Sequence, residues 1–123
     1  MGTRFIATPE SGVVAGHRSM IAEAGIDSII TSAAMNGVPA NWIRESLAAV
    51  GLEPAQIAGG KIEMPDGVRA WRDTFSAGQS VGLIDAVEPV SDLVTRLAQE
   101  FAALAPQSRW RERLAQIESD WNK

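Results

Sequence analysis

The chain has 123 residues, enough for one small folded domain, and 46% of them are hydrophobic, which argues against wholesale disorder. It contains no cysteine, so disulfides, thiolate metal sites and a cysteine nucleophile are excluded. A net charge of −4 argues against a nucleic-acid partner, which needs clustered Lys and Arg. No apolar run reaches the ~20 residues that would span a membrane. The N-terminus has no basic-then-apolar leader pattern, and the expected compartment is the cytoplasm.

Residues 1–7 read as the end of a buried strand, with Phe5 and Ile6 apolar and the turn cluster Thr8-Pro9-Glu10-Ser11-Gly12 behind them. Such a short strand has no partner in its own segment, which suggests sequence missing upstream. Residues 13–24 suit a helix, because Val14, His17, Ile21 and Ala24 recur at helical steps and Gly25 offers a stop. The β-branched run over 26–31 predicts a strand, and Asn36-Gly37 marks a turn. Residues 39–50 predict a second helix, opened by Pro39, lined by Ile43, Leu47 and Val50, and ended by Gly51.

Residues 52–67 carry Gly59-Gly60 and Pro65-Asp66-Gly67 and read mostly as loop. Residues 73–84 are rich in small residues and have no clear period. From Pro89, the residues Val90, Leu93, Val94, Leu97, Phe101 and Leu104 predict a strong helix, broken at Pro106. A last helix is expected over 107–122, on Trp110, Leu114, Ile117 and Trp121; its run Arg109-Trp110-Arg111-Glu112-Arg113 reads as a solvated face. The expected chain is mostly α, with four or five helices and about two short strands, too few for a sheet of their own.

Two segments hold candidate chemistry. In Met1-Gly2-Thr3-Arg4, a glycine admits close approach to the backbone, while N–H groups and a Thr hydroxyl offer donors to an anion. A phosphate loop is one reading and a plain bend is the other. In Ser76-Ala77-Gly78-Gln79-Ser80-Val81-Gly82, both serines and both glycines lie four apart. On a helix this would make a face almost free of side chains, suited to close backbone packing or to a flat ligand. Helical glycine costs about 1 kcal/mol relative to Ala, and the packing reading is the simpler. His17 is the sole histidine and has no partner motif, so it reads as structural. Neither Asp85 with Glu88 nor Glu10 with Glu23 has the spacing of an acid–base dyad, and no metal set is present. Trp42, Trp71, Trp110 and Trp121 read as packing anchors, the first two also being candidates to line a pocket.

The stretch from Met1 to Ser11 resembles the segment MGTRFxATxES of the nitronate monooxygenase family, formerly the 2-nitropropane dioxygenases. Ser32 to Ile43 is similar to the family's SGxPANFL stretch, with Asn36 where Ser is usual, and Trp71 to Ile84 is similar to WKDIWSAGQGVGLI. Pro89 to Leu97 resembles its PPVAELVARL helix. The resemblance implies an α/β fold, the C-terminal fragment of a TIM-type FMN barrel with a helical cover subdomain. It implies three segments: residues 1–25 as the end of the last barrel strand, the phosphate loop and the following helix, 26–84 as the substrate-side cover, and 85–123 as C-terminal helices. The implied activity is oxidation of alkyl nitronates with O2. Met1, Gly2 and Thr3 would close over the FMN phosphate with Arg4 in the same loop, and Ser76, Gly78 and Gln79 would belong to the flavin-facing wall.

Family chains are far longer, and the shared region begins at the last barrel strand. The earlier strands and the catalytic histidine would lie before Met1, and His17 does not match that histidine. No catalytic residue is therefore expected in this chain. The expectation is an internal methionine taken as a start, or a truncated or split gene, whose product is inactive alone because a pocket must enclose its ligand. Two alternatives stand beside this one. The first is a fragment of a related flavin barrel, of the NADH:quinone reductase or enoyl-ACP reductase type. The second is a free-standing helical module that self-associates through the apolar stripes of its last two helices.

Overall fold

A computed structural model describes residues 1–58, 60–104 and 109–122. Along the chain run helices α1 (Gly2–Ile6) and α2 (Ala15–Glu23), strands β1 (Ile29–Ser32) and β2 (Ala40–Ile43), and helices α3 (Arg44–Ala48), α4 (Pro54–Ala58), α5 (Val90–Leu104) and α6 (Trp110–Trp121). Single 3₁₀ turns occupy Ile26–Ser28 and Gln79–Leu83. The chain divides into two compact units, Met1–Glu88 and Pro89–Lys123.

In the first unit β1 and β2 pair antiparallel, with Ile29 opposite Ile43 and Ile30 opposite Trp42. The connection turns at Gly37, whose φ of +81° favours glycine. Asn36 steadies it by accepting the Val38 N–H on its side-chain oxygen at 3.1 Å. The two strands thus satisfy each other's backbone groups in a two-stranded sheet, where the sequence suggested strands too few for a sheet of their own. Ala40–Ile43 is a strand, although Pro39 predicted a helix beginning there. Proline fixes φ at a value that extended chain tolerates as well as a first helical turn does, and here the partner strand decides. The helix starts only at Arg44, and Gly51 ends this stretch at φ +78°.

Neighbouring residues of a strand point to opposite faces, and β2 uses both. Ile43 joins a core of Ala7, Ile21, Ala24, Ala77, Val81 and Ile84. Trp42 joins the other, with Ala34, Met35, Leu47, Leu52 and Ile57. Each large apolar side chain fully buried this way stabilises the unit by roughly 1.5–3 kcal/mol. The far edge of β2 is held by the segment around Phe75. Ile43 donates its N–H to the Phe75 carbonyl at 2.8 Å, and the buried Ser46 hydroxyl accepts the Phe75 N–H at 2.9 Å.

Three further expectations change. Residues 1–7 contain helix α1, not a strand end; five residues with two adjacent apolar side chains do not separate the two periods. Residues 52–67 are not all loop, because Pro54 opens α4 and Ile57 buries its side chain. Of the four tryptophans only Trp42 is a buried anchor, whereas Trp121 is 87% exposed.

In the second unit α5 follows its pattern. The Pro89 carbonyl accepts the first helical N–H groups, from Asp92 and Leu93, at 3.1 and 3.0 Å. Leu93 is buried, while Val94, Phe101 and Leu104 are exposed. On α6, Leu114, Ile117 and Trp121 are exposed, as are Arg109, Glu112 and Arg113 beside them. Phe101 and Trp110 meet at 5.7 Å between ring centroids. The break expected at Pro106 lies outside the described residues. Among the described residues no helix is long and apolar enough to cross a membrane.

Candidate functional site

The two segments singled out in the sequence meet in space. Thr3 points inward from α1, and Gly78 donates its N–H to Thr3 Oγ1 at 2.7 Å across 75 positions of sequence. Gly78 also begins the 3₁₀ turn, its carbonyl accepting the Val81 N–H at 3.0 Å. A β-carbon at position 78 would sit 3.0 Å from Thr3 Oγ1, and one at 82 would sit 3.2 Å from the backbone nitrogen of Ile26. Both glycines therefore serve close packing. They do not share a helix face, because residues 79–83 form a 3₁₀ turn and Ser76 bridges to Trp42 as extended chain.

Around Thr3 the donors differ in what they have left to give. Accepting from Gly78 leaves the Thr3 hydroxyl proton available to an acceptor. Gly2 is exposed, with open space where a side chain would be, so an anion has an unobstructed approach to its backbone. Met1 is 74% exposed beside it. Arg4 pairs with Glu88, and the Glu88 N–H returns to the Ala7 carbonyl at 3.4 Å. The second terminal nitrogen of Arg4, Nη1, is buried and has no hydrogen-bond partner. Glu88 was not foreseen as this partner; two opposite charges so far apart in sequence carry no local signal. Gln79 is exposed and Ser76 half-buried. The set fits a phosphate in part: it offers backbone and hydroxyl donors, and one guanidinium already engaged by a carboxylate.

His17 is buried and stacks on Phe75, centroids 4.6 Å apart and planes 8° from parallel. Its Nε2 lies 3.0 Å from the Ser76 carbonyl, which can only accept, so Nε2 carries the proton. Burial pushes its pKa below the ordinary value, partly opposed by the Ser76 bond. Two open clefts lie elsewhere in this unit. One of about 470 Å³ is lined by Ser32, Gly37, Ile57 and Lys61 among others. The other, about 290 Å³, borders His17, Trp71, Arg72 and Phe75. Among the described residues no group of three or more His, Asp or Glu is placed to hold a metal ion.

No protein-family model matches the sequence, and no curated protein matches it either. Solved structures do. The structure of FabK from Thermotoga maritima superposes with a TM-score of 0.59 at 25% identity, over 90% of this chain and 39% of that one. A methionine-to-alanine mutant of the same protein gives 0.57 at 25% identity, over 90% of this chain and 36% of that one. The chain thus spans well under half the length of the structures it matches. The neighbours are flavin-dependent TIM barrels, and this half-helical chain, with one antiparallel strand pair among its described residues, has the fold of one portion of such a barrel chain.

Proposed function

We propose that the chain is the C-terminal portion of an FMN-dependent nitronate monooxygenase, an enzyme that oxidises alkyl nitronates with O2. The observation that carries this reading is the bond between Thr3 and Gly78. It joins the Met-Gly-Thr-Arg segment to the Ser-Ala-Gly-Gln segment, the two stretches on which the family resemblance chiefly rests. FMN, when bound, would supply the redox chemistry. The part left to this chain is positioning: the Gly2 and Thr3 backbone and the Thr3 hydroxyl donate to the phosphate, with Met1 beside them. Gly78 fixes the rotamer of Thr3, while Ser76 and Gln79 extend the same wall. Arg4 contributes through its link to Glu88, which holds α1 in place, and through its unpartnered Nη1. No residue here is assigned to proton transfer. A chain that presents donors on one side of a phosphate does not enclose a flavin, so activity of the chain by itself is not part of the proposal. A cytoplasmic setting is.

The likeness to FabK favours a second reading, a portion of an enoyl-ACP reductase of the same flavin-barrel kind. The Pro39-Ala40-Asn41 and Ser76-Ala77-Gly78-Gln79 segments support the nitronate branch against it. The test is to fuse this chain behind the complementary portion of a nitronate monooxygenase and, separately, behind that of FabK. Recovery of flavin absorbance and propyl-nitronate-dependent O2 uptake in the first fusion alone supports the proposal. Recovery of NADH-dependent enoyl thioester reduction in the second alone replaces it with the enoyl reductase reading. Two folded fusions that hold no FMN reject both.

A further inference from the structure

Between the residues leading into α2 and the turn before Phe75 lies the open cleft of about 290 Å³. It includes none of the residues assigned above to a flavin. Val13, Val14, Trp71 and Phe75 give it apolar and aromatic walls, and His17 and Arg72 give it two polar groups. We propose that this cleft binds a small flat aromatic carboxylate that also carries a hydrogen-bond donor, a hydroxybenzoate being the simplest case. The ring lies against Trp71 and Phe75, the carboxylate meets Arg72, and the hydroxyl donates to Nδ1 of His17.

Three observations converge on that chemistry. Trp71 adopts a φ of +62°, a left-handed conformation that a bulky residue rarely takes and that costs free energy. The turn enforces it: Asp73 accepts the Arg69 N–H on its carboxylate at 2.8 Å and returns its own N–H to the Arg69 carbonyl at 3.0 Å. The result is an indole 55% exposed, resting on the buried Trp42 at 5.1 Å between centroids. Strain that leaves an aromatic ring beside a cleft, and not in a core, is the pattern of a ligand wall.

His17 is the second observation. Its Nε2–H is spent on Ser76, and Nδ1 makes no hydrogen bond among the described residues. A neutral imidazole presents a lone pair there, so the matching ligand group is a donor. Arg72 is the third. Asp73 and the Gly67 carbonyl engage Nε and one terminal nitrogen, which fixes the guanidinium plane and leaves Nη1 unengaged. A preoriented N–H beside an aromatic wall suits a carboxylate.

Titration of the whole chain with 4-hydroxybenzoate, followed by NMR at the Trp71 indole and His17 ring, tests the proposal. The expected result is saturable shifts at both, with the indoles of Trp110 and Trp121 unmoved. Benzoate, which lacks the donor, and cyclohexanecarboxylate, which lacks the flat ring, should each bind more weakly. Trp71→Ala should weaken binding about fivefold through loss of one stacking wall. Val14→Phe at an exposed position should fill the cleft and abolish the titration without touching a polar group. The proposal fails if Trp71 shows no saturable shift, if cyclohexanecarboxylate matches 4-hydroxybenzoate, or if Val14→Phe binds as the parent does.

Discussion

The backbone N–H of Gly78 donates to the hydroxyl of Thr3 at 2.7 Å, and the same approach would put a β-carbon at position 78 only 3.0 Å from that oxygen. One short contact is therefore both a hydrogen bond and a steric limit, and the two roles separate by substitution. Thr3→Val keeps the shape and leaves the Gly78 N–H unpaired, at an expected loss of about 1–2 kcal/mol. Thr3→Ser should stay close to the parent. Gly78→Ala pushes a methyl against the Thr3 oxygen at an expected loss of about 1–3 kcal/mol. Because both changes act on one contact, Thr3→Ala with Gly78→Ala should cost less than the sum by about 1 kcal/mol. Urea denaturation of these variants together with Thr3→Ala alone measures this, and strict additivity would show that the contact is not formed.

Trp71 should reverse the usual ranking of small residues. At most positions Gly is more destabilising than Ala, because it frees the unfolded chain. At φ +62° alanine keeps the strain and glycine relieves it. Both substitutions lose the packing on Trp42, so both should be less stable than the parent. Trp71→Gly should nevertheless exceed Trp71→Ala by about 1 kcal/mol in denaturant unfolding. Equal or inverted stabilities would mean the turn is not held as described.

His17 sets a pH dependence whose sign follows from its environment. Burial, the larger cause, lowers its native pKa below the ordinary 6.5, and the Ser76 bond opposes this. Above pH 6.5 the ring is neutral in both states, and the contribution is fully present. Below that value the unfolded chain binds the proton first, so stability falls with pH until the depressed native pKa is passed, where the fall levels off. His17→Phe should keep an aromatic partner for Phe75 and remove this slope. Unfolding midpoints compared across about pH 5 to 8 give the answer. A slope that survives in His17→Phe would assign the dependence to other groups.

The second unit leaves Val94, Phe101 and Leu104 of α5 and Leu114, Ile117 and Trp121 of α6 exposed. Exposed apolar stripes of this kind favour self-association. Sedimentation velocity should show association rising with concentration in the parent chain. Phe101→Glu with Ile117→Glu should shift it toward monomer while leaving the helical signal nearly unchanged. A parent that stays monomeric at all concentrations would remove this expectation.

What the sequence made legible was local. Helix α5 was readable because six apolar residues from Val90 to Leu104 keep helical spacing behind Pro89, and α2 was readable on His17 and Ile21. The strand β1 announced itself by its β-branched residues. Its partner β2 did not, because Ile43, Leu47 and Val50 fit a helical period even though Ile43 belongs to a strand. Only the pairing with β1 settles Ala40–Ile43, and pairing is not a local property. At the candidate site the segments Met1–Arg4 and Ser76–Gln79 stood out in sequence, on glycine placement and on resemblance. That Thr3 touches Gly78, or Arg4 touches Glu88, follows from no spacing rule. Trp71 stood out in sequence as a candidate to line a pocket, and it does line the cleft, but its strained backbone was hidden because it comes from the Asp73–Arg69 bonds of a folded turn.

The link from Arg4 to Glu88, with the Glu88 N–H on the Ala7 carbonyl, brings the two ends of the first unit side by side. In topological terms Met1–Glu88 is a nearly closed ring, fastened where its ends meet. A ring has no obligatory starting point. A short linker from Glu88 to Met1 should allow new termini to be opened at an exposed turn such as Asp66-Gly67 without loss of the fold.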